Sequence, residues 1–353
     1  ATPFVPVFSL AQGPPAAVFP TVPSNGILPL PPNVGATYRP AALKIPYVDS
    51  WNFSLEHEFP AAFTATASYV ANAGRHEGLS IPINQAAPGP GPLNPRRPLF
   101  NQFGIPQPIS DGSLALSNSY QSLQLKLTKR YSNGITLFAN YTFSKSIDTA
   151  GGLGSALGLR LNHAVEDWDR THVVSVGHTI DLPFGNGRAY LSNAHGILGH
   201  IINGWEFTGI TQYMSGLPFS PTLSNNASIN ADVTLRPDWI WGVSPYGIPG
   251  GQSRNLWYTP AAYTIPGPFL FGTAGRNTLL GPGSFTANWA VFKEFAFGET
   301  KRLEFRWETF NLFNRANLAN PSGTVDAGPG VAGVVTNVAN NMRQMQVGLH
   351  LRF

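Results

Sequence analysis

MQVGLHLRF, residues 345–353, is the stretch that decides the fold. Counting back from Phe353, every second residue is apolar: Leu351, Leu349, Val347 and Met345. Arg352, His350, Gly348 and Gln346 stand between them. A period of two puts the two sets on opposite faces of one strand. Chain ends ordinarily drift into polar, poorly ordered residues; this one closes on the best-patterned stretch of the protein.

The same alternation recurs upstream. Residues 51–59 set Trp51, Phe53, Leu55 and Phe59 against Asn52, Ser54, Glu56 and Glu58, and 63–72 set Phe63, Ala65, Ala67 and Tyr69 against Thr64, Thr66 and Ser68. Residues 120–130 oppose Leu123, Leu125 and Leu127 to Gln124, Lys126 and Thr128. Across Asn133-Gly134, a pair suited to a turn at positive φ, 135–144 continue with Ile135, Leu137, Ala139, Tyr141 and Phe143 on one side. Further strands are expected at 171–182, 205–215, 285–295 and 303–313. With the closing strand the total is about nine.

Composition agrees. Charged residues are 11% of the 353, against about 25% in an average soluble domain. Gly (37) and Pro (32) are together about a fifth of the chain, above their usual share of about 12%. Aromatics reach 12%, with 23 Phe, too many for a disordered chain. This mixture favours many short strands joined by loops. The net charge of +4 is scattered, whereas a nucleic-acid binder concentrates its Lys and Arg into a patch. No nucleic-acid partner is expected. There is no cysteine, hence no disulfide, thiolate metal site or cysteine nucleophile.

Alternating strands also build soluble sandwiches, apolar inward and polar outward. Two features favour a membrane barrel instead. The polar sets hold few charges and many hydroxyl and amide side chains. The connections also alternate in length: short at 60–62, 131–134 and 296–300, long at 73–119, 145–170, 216–284 and 314–341. Several structureless loops beyond about 15 residues are uncommon in soluble domains. Outer-membrane barrels have short periplasmic turns, long extracellular loops and strands of about 10 residues. The 183–204 connection breaks the rule. A Lys or Arg facing lipid at mid-depth costs about 2–4 kcal/mol and about 0–1 near the interface. The charges on the outward sets, Lys293 and Arg343, lie near strand ends, from which they are expected to snorkel. Glu304, Arg306, Glu308 and Lys126 fall on the inward set and are the candidate lumen residues.

Several blocks resemble the C-terminal barrel of TonB-dependent outer-membrane transporters, in the Oar-like group that carries a carboxypeptidase-regulatory-like N-terminal domain. They are YRPAALKIPYVDSWNFSLEHEFP (38–60), DRTHVVSVGHTIDLPFGNG (169–187), GWEFTGITQYMSGLPFS (204–220), GTAGRNTLLGPG (272–283) and LEFRWETFNLFNRANLANP (303–321). The resemblance implies a barrel of about 22 strands, plugged by an N-terminal domain, energised from the inner membrane and seated in the outer membrane of a Gram-negative-type bacterium. It also implies that Val347, Leu349, Leu351 and Phe353 form the signal read by the barrel-assembly machinery. No plug or TonB-contacting segment matches here, and the strand count is odd. The chain is therefore expected to be an incomplete, open curved sheet: an all-β C-terminal portion whose N-terminal parts, and with them the TonB complex, lie outside it. The absence of a basic leader before ATPFVPVFSL points the same way. The nine prolines within 1–38 exclude a spanning helix there. Residues 1–50 read as a Pro-rich extracellular segment and 51–353 as barrel.

The expected role is substrate uptake without covalent chemistry; an adhesion barrel without energised transport is the alternative. No catalytic motif, cofactor or metal site is expected. The acidic run 166–170 lacks the further ligands of a calcium loop and reads as local ion pairs. His195 and His200 are five apart, not the i, i+4 of a zincin helix. The loop 216–284, with Trp239, Trp241, Trp257 and Tyr258, is the candidate ligand-contacting element for an unidentified carbohydrate, peptide or metal chelate.

Overall fold

The computed structural model describes residues 21, 24, 36–38, 44–149, 161–225, 227–298 and 300–353. Nine strands form an antiparallel meander: β1 Tyr47–Phe59, β2 Phe63–Pro82, β3 Ile109–Ser132, β4 Ile135–Asp148, β5 His172–Asp181, β6 Trp205–Met214, β7 Ser284–Phe297, β8 Lys301–Phe310 and β9 Gln344–Arg352. Two short segments join the same sheet: Ala36–Tyr38 runs parallel to the start of β3, and Ala164–Val165 pairs with the end of β4. Among the described residues β1 and β9 each have one neighbour, so the sheet is open. All nine expected strands are present. Most of the 1–50 segment lies outside the described residues, and β1 starts inside it.

The register carries the facing argument. Phe53 stands opposite Tyr69, Tyr69 opposite Leu123, Leu123 opposite Phe143 and Phe143 opposite His172. Across the other end, Phe305 pairs with Leu349 and Trp307 with Val347. Residues directly opposite in an antiparallel pair project from one face, so the apolar sets of all nine strands share one side. That side is unburied: Trp51, Phe53, Leu55, Leu123, Leu125, Phe143, Trp307 and Val347 are all exposed. A soluble sheet would cover such a band; a barrel wall offers it to lipid.

Three expectations change. First, β2 and β3 run 20 and 24 residues, about twice the expected length, and β3 spans roughly 80 Å at about 3.4 Å per residue. The ladder continues past the apolar band through a bulge at 74–77. Outside lipid, backbone pairing needs no apolar alternation, so the pattern of Leu123 to Leu127 gives no hint of it. Second, Lys293 does not snorkel to water. It is 1% exposed, and its ammonium donates to the Asn203 carbonyl. Lys129, in the same outward rows opposite Phe63 and Leu137, donates to the carbonyls of Ser132 (2.7 Å) and Ile135 (3.3 Å). Third, the 216–284 connection is structured. Asp238–Trp239 pairs with Tyr263–Thr264, and Pro218–Phe219 with Leu279–Leu280.

The Asn133-Gly134 turn has the positive φ expected of it, 52° and 76°. Close approach requires a glycine inside β6. Gly209 on β6 lies under the ring of its register partner Trp289, and a Cβ there would overlap that ring. Trp289 is held by donation from Nε1 to Thr211 Oγ1 (3.0 Å) and by edge contacts with Phe207 and Phe313 at 5.3 and 5.8 Å. Gly209→Val is expected to cost about 1–3 kcal/mol through this overpacking. The measurement is the urea unfolding midpoint of the detergent-solubilised protein; an unchanged midpoint would refute the packing account.

Candidate functional site

Among the described residues, two regions that gather polar or aromatic side chains hold the expected site residues. The first is the inward face near the short-turn end. Glu304 accepts from Arg306 and from Arg352, the latter at 3.1 Å. Arg302 pairs with Glu294, and Gln346 donates to Glu308. Glu294, Glu304 and Arg306 of this set line a hollow of about 300 Å³ together with Glu206 and Phe292. Alternation dictates the arrangement: Glu304, Arg306 and Glu308 sit at every second position of β8, and the register sets them opposite His350, Gly348 and Gln346. Lys126 shares the face but not the cluster. It stands on β3 between Thr66 and Asn140, five strands from β8, or about 24 Å at roughly 4.8 Å per strand.

The second region is a cap at the opposite end, built from the long connections. It has its own apolar cores. Tyr258, Ala262, Tyr263, Ala274 and Leu279 form one, with Phe219, Tyr246 and Val325 against it; Ile229, Val233 and Leu235 form the other. Charged and amide side chains bind the loops to each other and to the strand ends. Arg97 pairs with Asp232 at 2.6 Å. Arg276 pairs with Asp148 at the end of β4 and with Asp167 (3.2 Å), and its Nε donates to the Asn162 carbonyl (3.2 Å). Asn277 Nδ2 donates to Asp167 (2.6 Å) and to the Val165 carbonyl (2.8 Å). Burial pushes the Arg276 guanidinium below its ordinary value and Arg236 down to about 10; both stay cationic at neutral pH.

The four loop aromatics divide. Tyr258 is wholly buried and donates its hydroxyl to the Ser322 carbonyl (3.0 Å). Trp257 is half-buried, with Nε1 donating to the Leu280 carbonyl (2.8 Å). Trp239 and Trp241 are exposed, Trp241 at 87%, and meet edge to face at 5.7 Å. Trp239 also walls an apolar cavity of about 300 Å³ with Pro245, Tyr246, Tyr263, Ala274 and Thr278. Burial raises the Tyr246 phenol and pushes Tyr263 up to about 12, so both hydroxyls are neutral at physiological pH. A cavity of aromatic walls and neutral hydroxyls suits an uncharged ligand with an apolar or planar face.

In the acidic run, Asp167 is held by Arg276 and Asn277, and Asp169 accepts from the Ser146 amide (2.7 Å). Arg170 donates to the Ser215 carbonyl (2.5 Å). Local ion pairs and strand attachment account for these side chains. Sequence reasoning did not find Arg276, Asn277, Arg97 or Asp232 as cap-builders. The available signal was their rarity, because charges in a weakly charged chain need partners when buried.

A family profile described as an outer membrane beta barrel domain matches residues 1–346. A search of curated proteins returns no match. Among solved structures, the outer membrane transporter YddB from Escherichia coli is similar over 90% of this chain, at 10% identity and a TM-score of 0.47. The chain spans 34% of that protein's length. Through the match that covers nearly all of it, the chain belongs to the outer membrane beta barrel domain family and is located in the outer membrane.

Proposed function

We propose that the chain is the C-terminal wall of a TonB-dependent outer-membrane transporter of the Oar-like group, with residues 51–353 forming staves and loops and 1–50 an extracellular approach. The observation that carries this reading is the open wall itself. Its apolar side fits lipid, its other side bears the Glu304–Arg306–Arg352 ladder, and its two edge strands await partners from the same barrel. In this reading Glu304, Arg306, Glu308 and Lys126 face the lumen, and the cap beside Trp239 and Trp241 takes the first contact with ligand. No covalent step is involved. The exposed outward residues of β9, Val347, Leu349 and Leu351 with Phe353, are available to the barrel-assembly machinery.

The test uses the full-length protein. Purified in detergent, it is expected to retain the periplasmic domain of TonB on an affinity column, and more strongly after ligand is supplied from a panel of oligosaccharides, peptides and metal chelates. Absence of any retention would remove energised transport and favour the adhesion barrel.

A further inference from the structure

The connection between β5 and β6, residues 182–204, is the long one at the short-turn end. It does not hang free below the sheet. Lys293 stands in the outward row between Trp205 and Phe305, its ammonium over the rings of Trp205 and Phe295 at 5.4 and 4.7 Å. That ammonium donates to the carbonyl of Asn203, at the far end of the connection. Trp205 donates from Nε1 to the Ile201 carbonyl (2.8 Å), and the Asn203 side chain accepts from the Asn186 amide (2.8 Å). Two outward-facing side chains thus hold the connection against the lipid side of the wall.

Within it lies a short helix, Gly196–Ile202, whose sequence GILGHII holds no Asp, Glu, Lys or Arg. Gly199 is buried, and a Cβ there would strike the carbonyl of Ala194 in the same connection. Ile197, Leu198 and Ile201, at i, i+1 and i+4, share a face and are 81%, 57% and 55% exposed. Phe184, Tyr190 and Leu191 of the same connection are exposed as well.

We propose that this helix lies in the plane of the membrane, with Ile197, Leu198 and Ile201 inserted among the acyl chains of the periplasmic leaflet. Lipid is the occupant because the helix continues the outward apolar band and hangs from its rim residues Trp205 and Lys293. Its face also lacks the charge that a polar protein partner would read. Lys293 serves the arrangement by being solvated within it: the backbone carbonyl and two aromatic rings take up its ammonium, so a cation can stand in the outward row without water. An amphipathic segment seated at the headgroup boundary anchors one side of a barrel and fixes its tilt. The inference depends on outer-membrane location and not on energised transport.

Two measurements on the full-length protein in phosphatidylethanolamine–phosphatidylglycerol vesicles test it. In the unmodified protein, a membrane-soluble aryl diazirine is photolysed and the adducts mapped by mass spectrometry. Adducts are expected on 196–202 as on the Leu125 peptide of β3; labelling of the Leu125 peptide alone would overturn the proposal. This chain has no cysteine; with any cysteine elsewhere in the full-length protein replaced by serine, nitroxides are placed singly by Ile197→Cys, Leu198→Cys and Ile201→Cys, with Asn193→Cys and Leu125→Cys as water and lipid references. Oxygen collisions are expected to exceed those of a nickel chelate at the three helix sites, as at Leu125, with the reverse at Asn193. Nickel access equal to that at Asn193 would put the helix in water. Exclusion of both quenchers would mean that protein covers it, which also defeats the proposal.

Discussion

Replacing Arg276 by leucine is expected to destabilise the cap by about 3–5 kcal/mol, the cost of leaving a buried charge without its partner. Arg276 is buried between Asp148 at the end of β4 and Asp167 in the connection that follows, and it also donates to the Asn162 carbonyl. Its own backbone amide donates to the Leu161 carbonyl at 3.0 Å. One side chain therefore ties the long connection after β6 to β4 and to the segment before β5. Without it, Asp148 keeps its burial and loses its cation. The effect should be local: hydrogen exchange is expected to rise across 216–284 and 161–170 while the centres of β7 and β8 stay protected. Adding Asp148→Asn to Arg276→Leu should recover part of the loss, because the stranded charge is then gone. Arg276→Lys should rescue little, since one ammonium cannot span both carboxylates and the carbonyl as a guanidinium fork does. Unchanged exchange in the cap would refute this role.

The wall was legible in the sequence for a physical reason. A strand between lipid and a polar interior is constrained at every residue, so Leu349-His350-Leu351-Arg352 writes its environment into a period of two. Nine strands, their facing and their short turns follow from that constraint alone. The cap obeys no such rule. Its residues are set by irregular packing and by hydrogen bonds between segments up to 147 positions apart, such as Gln85 to the Asp232 carbonyl. Nothing periodic marks Arg276 or Asn277, although both lie in the GTAGRNTLLGPG block that bore the family resemblance. The lysines show the same limit. Alternation correctly placed Lys293 outward, but the carbonyl that receives it belongs to a connection with no readable pattern. Among the candidate site residues, Glu304, Arg306 and Glu308 were legible as a ladder because one strand carries all three. Trp239, Trp241, Trp257 and Tyr258 were legible only as a group of aromatics; composition cannot tell a wall of a cavity from the core beneath it.

That last distinction gives the second large effect. Tyr258→Ala is expected to cost about 3–5 kcal/mol, as truncation of a large buried aromatic does, because Tyr258 is the centre of the cap core and meets Phe219 and Tyr263 at 5.8 and 6.3 Å. Tyr258→Phe keeps the ring and loses only the bond to the Ser322 carbonyl, about 1 kcal/mol. The Ser322 carbonyl would then be left without that donor, so the loss should not fall to zero. Trp241→Ala, by contrast, removes a ring that is 87% exposed and is expected to change stability by no more than about 0.5 kcal/mol. Thermal unfolding of the cap, followed by protease nicking within 216–284, separates the three variants. If Trp241→Ala destabilised the cap as much as Tyr258→Ala, the exposed pair would be structural, and its role as a ligand platform would lose its basis. If Trp241→Ala is silent in stability, the loss of ligand retention it causes can be read as binding. An exposed tryptophan pair beside an apolar cavity earns a functional reading only when folding does not need it.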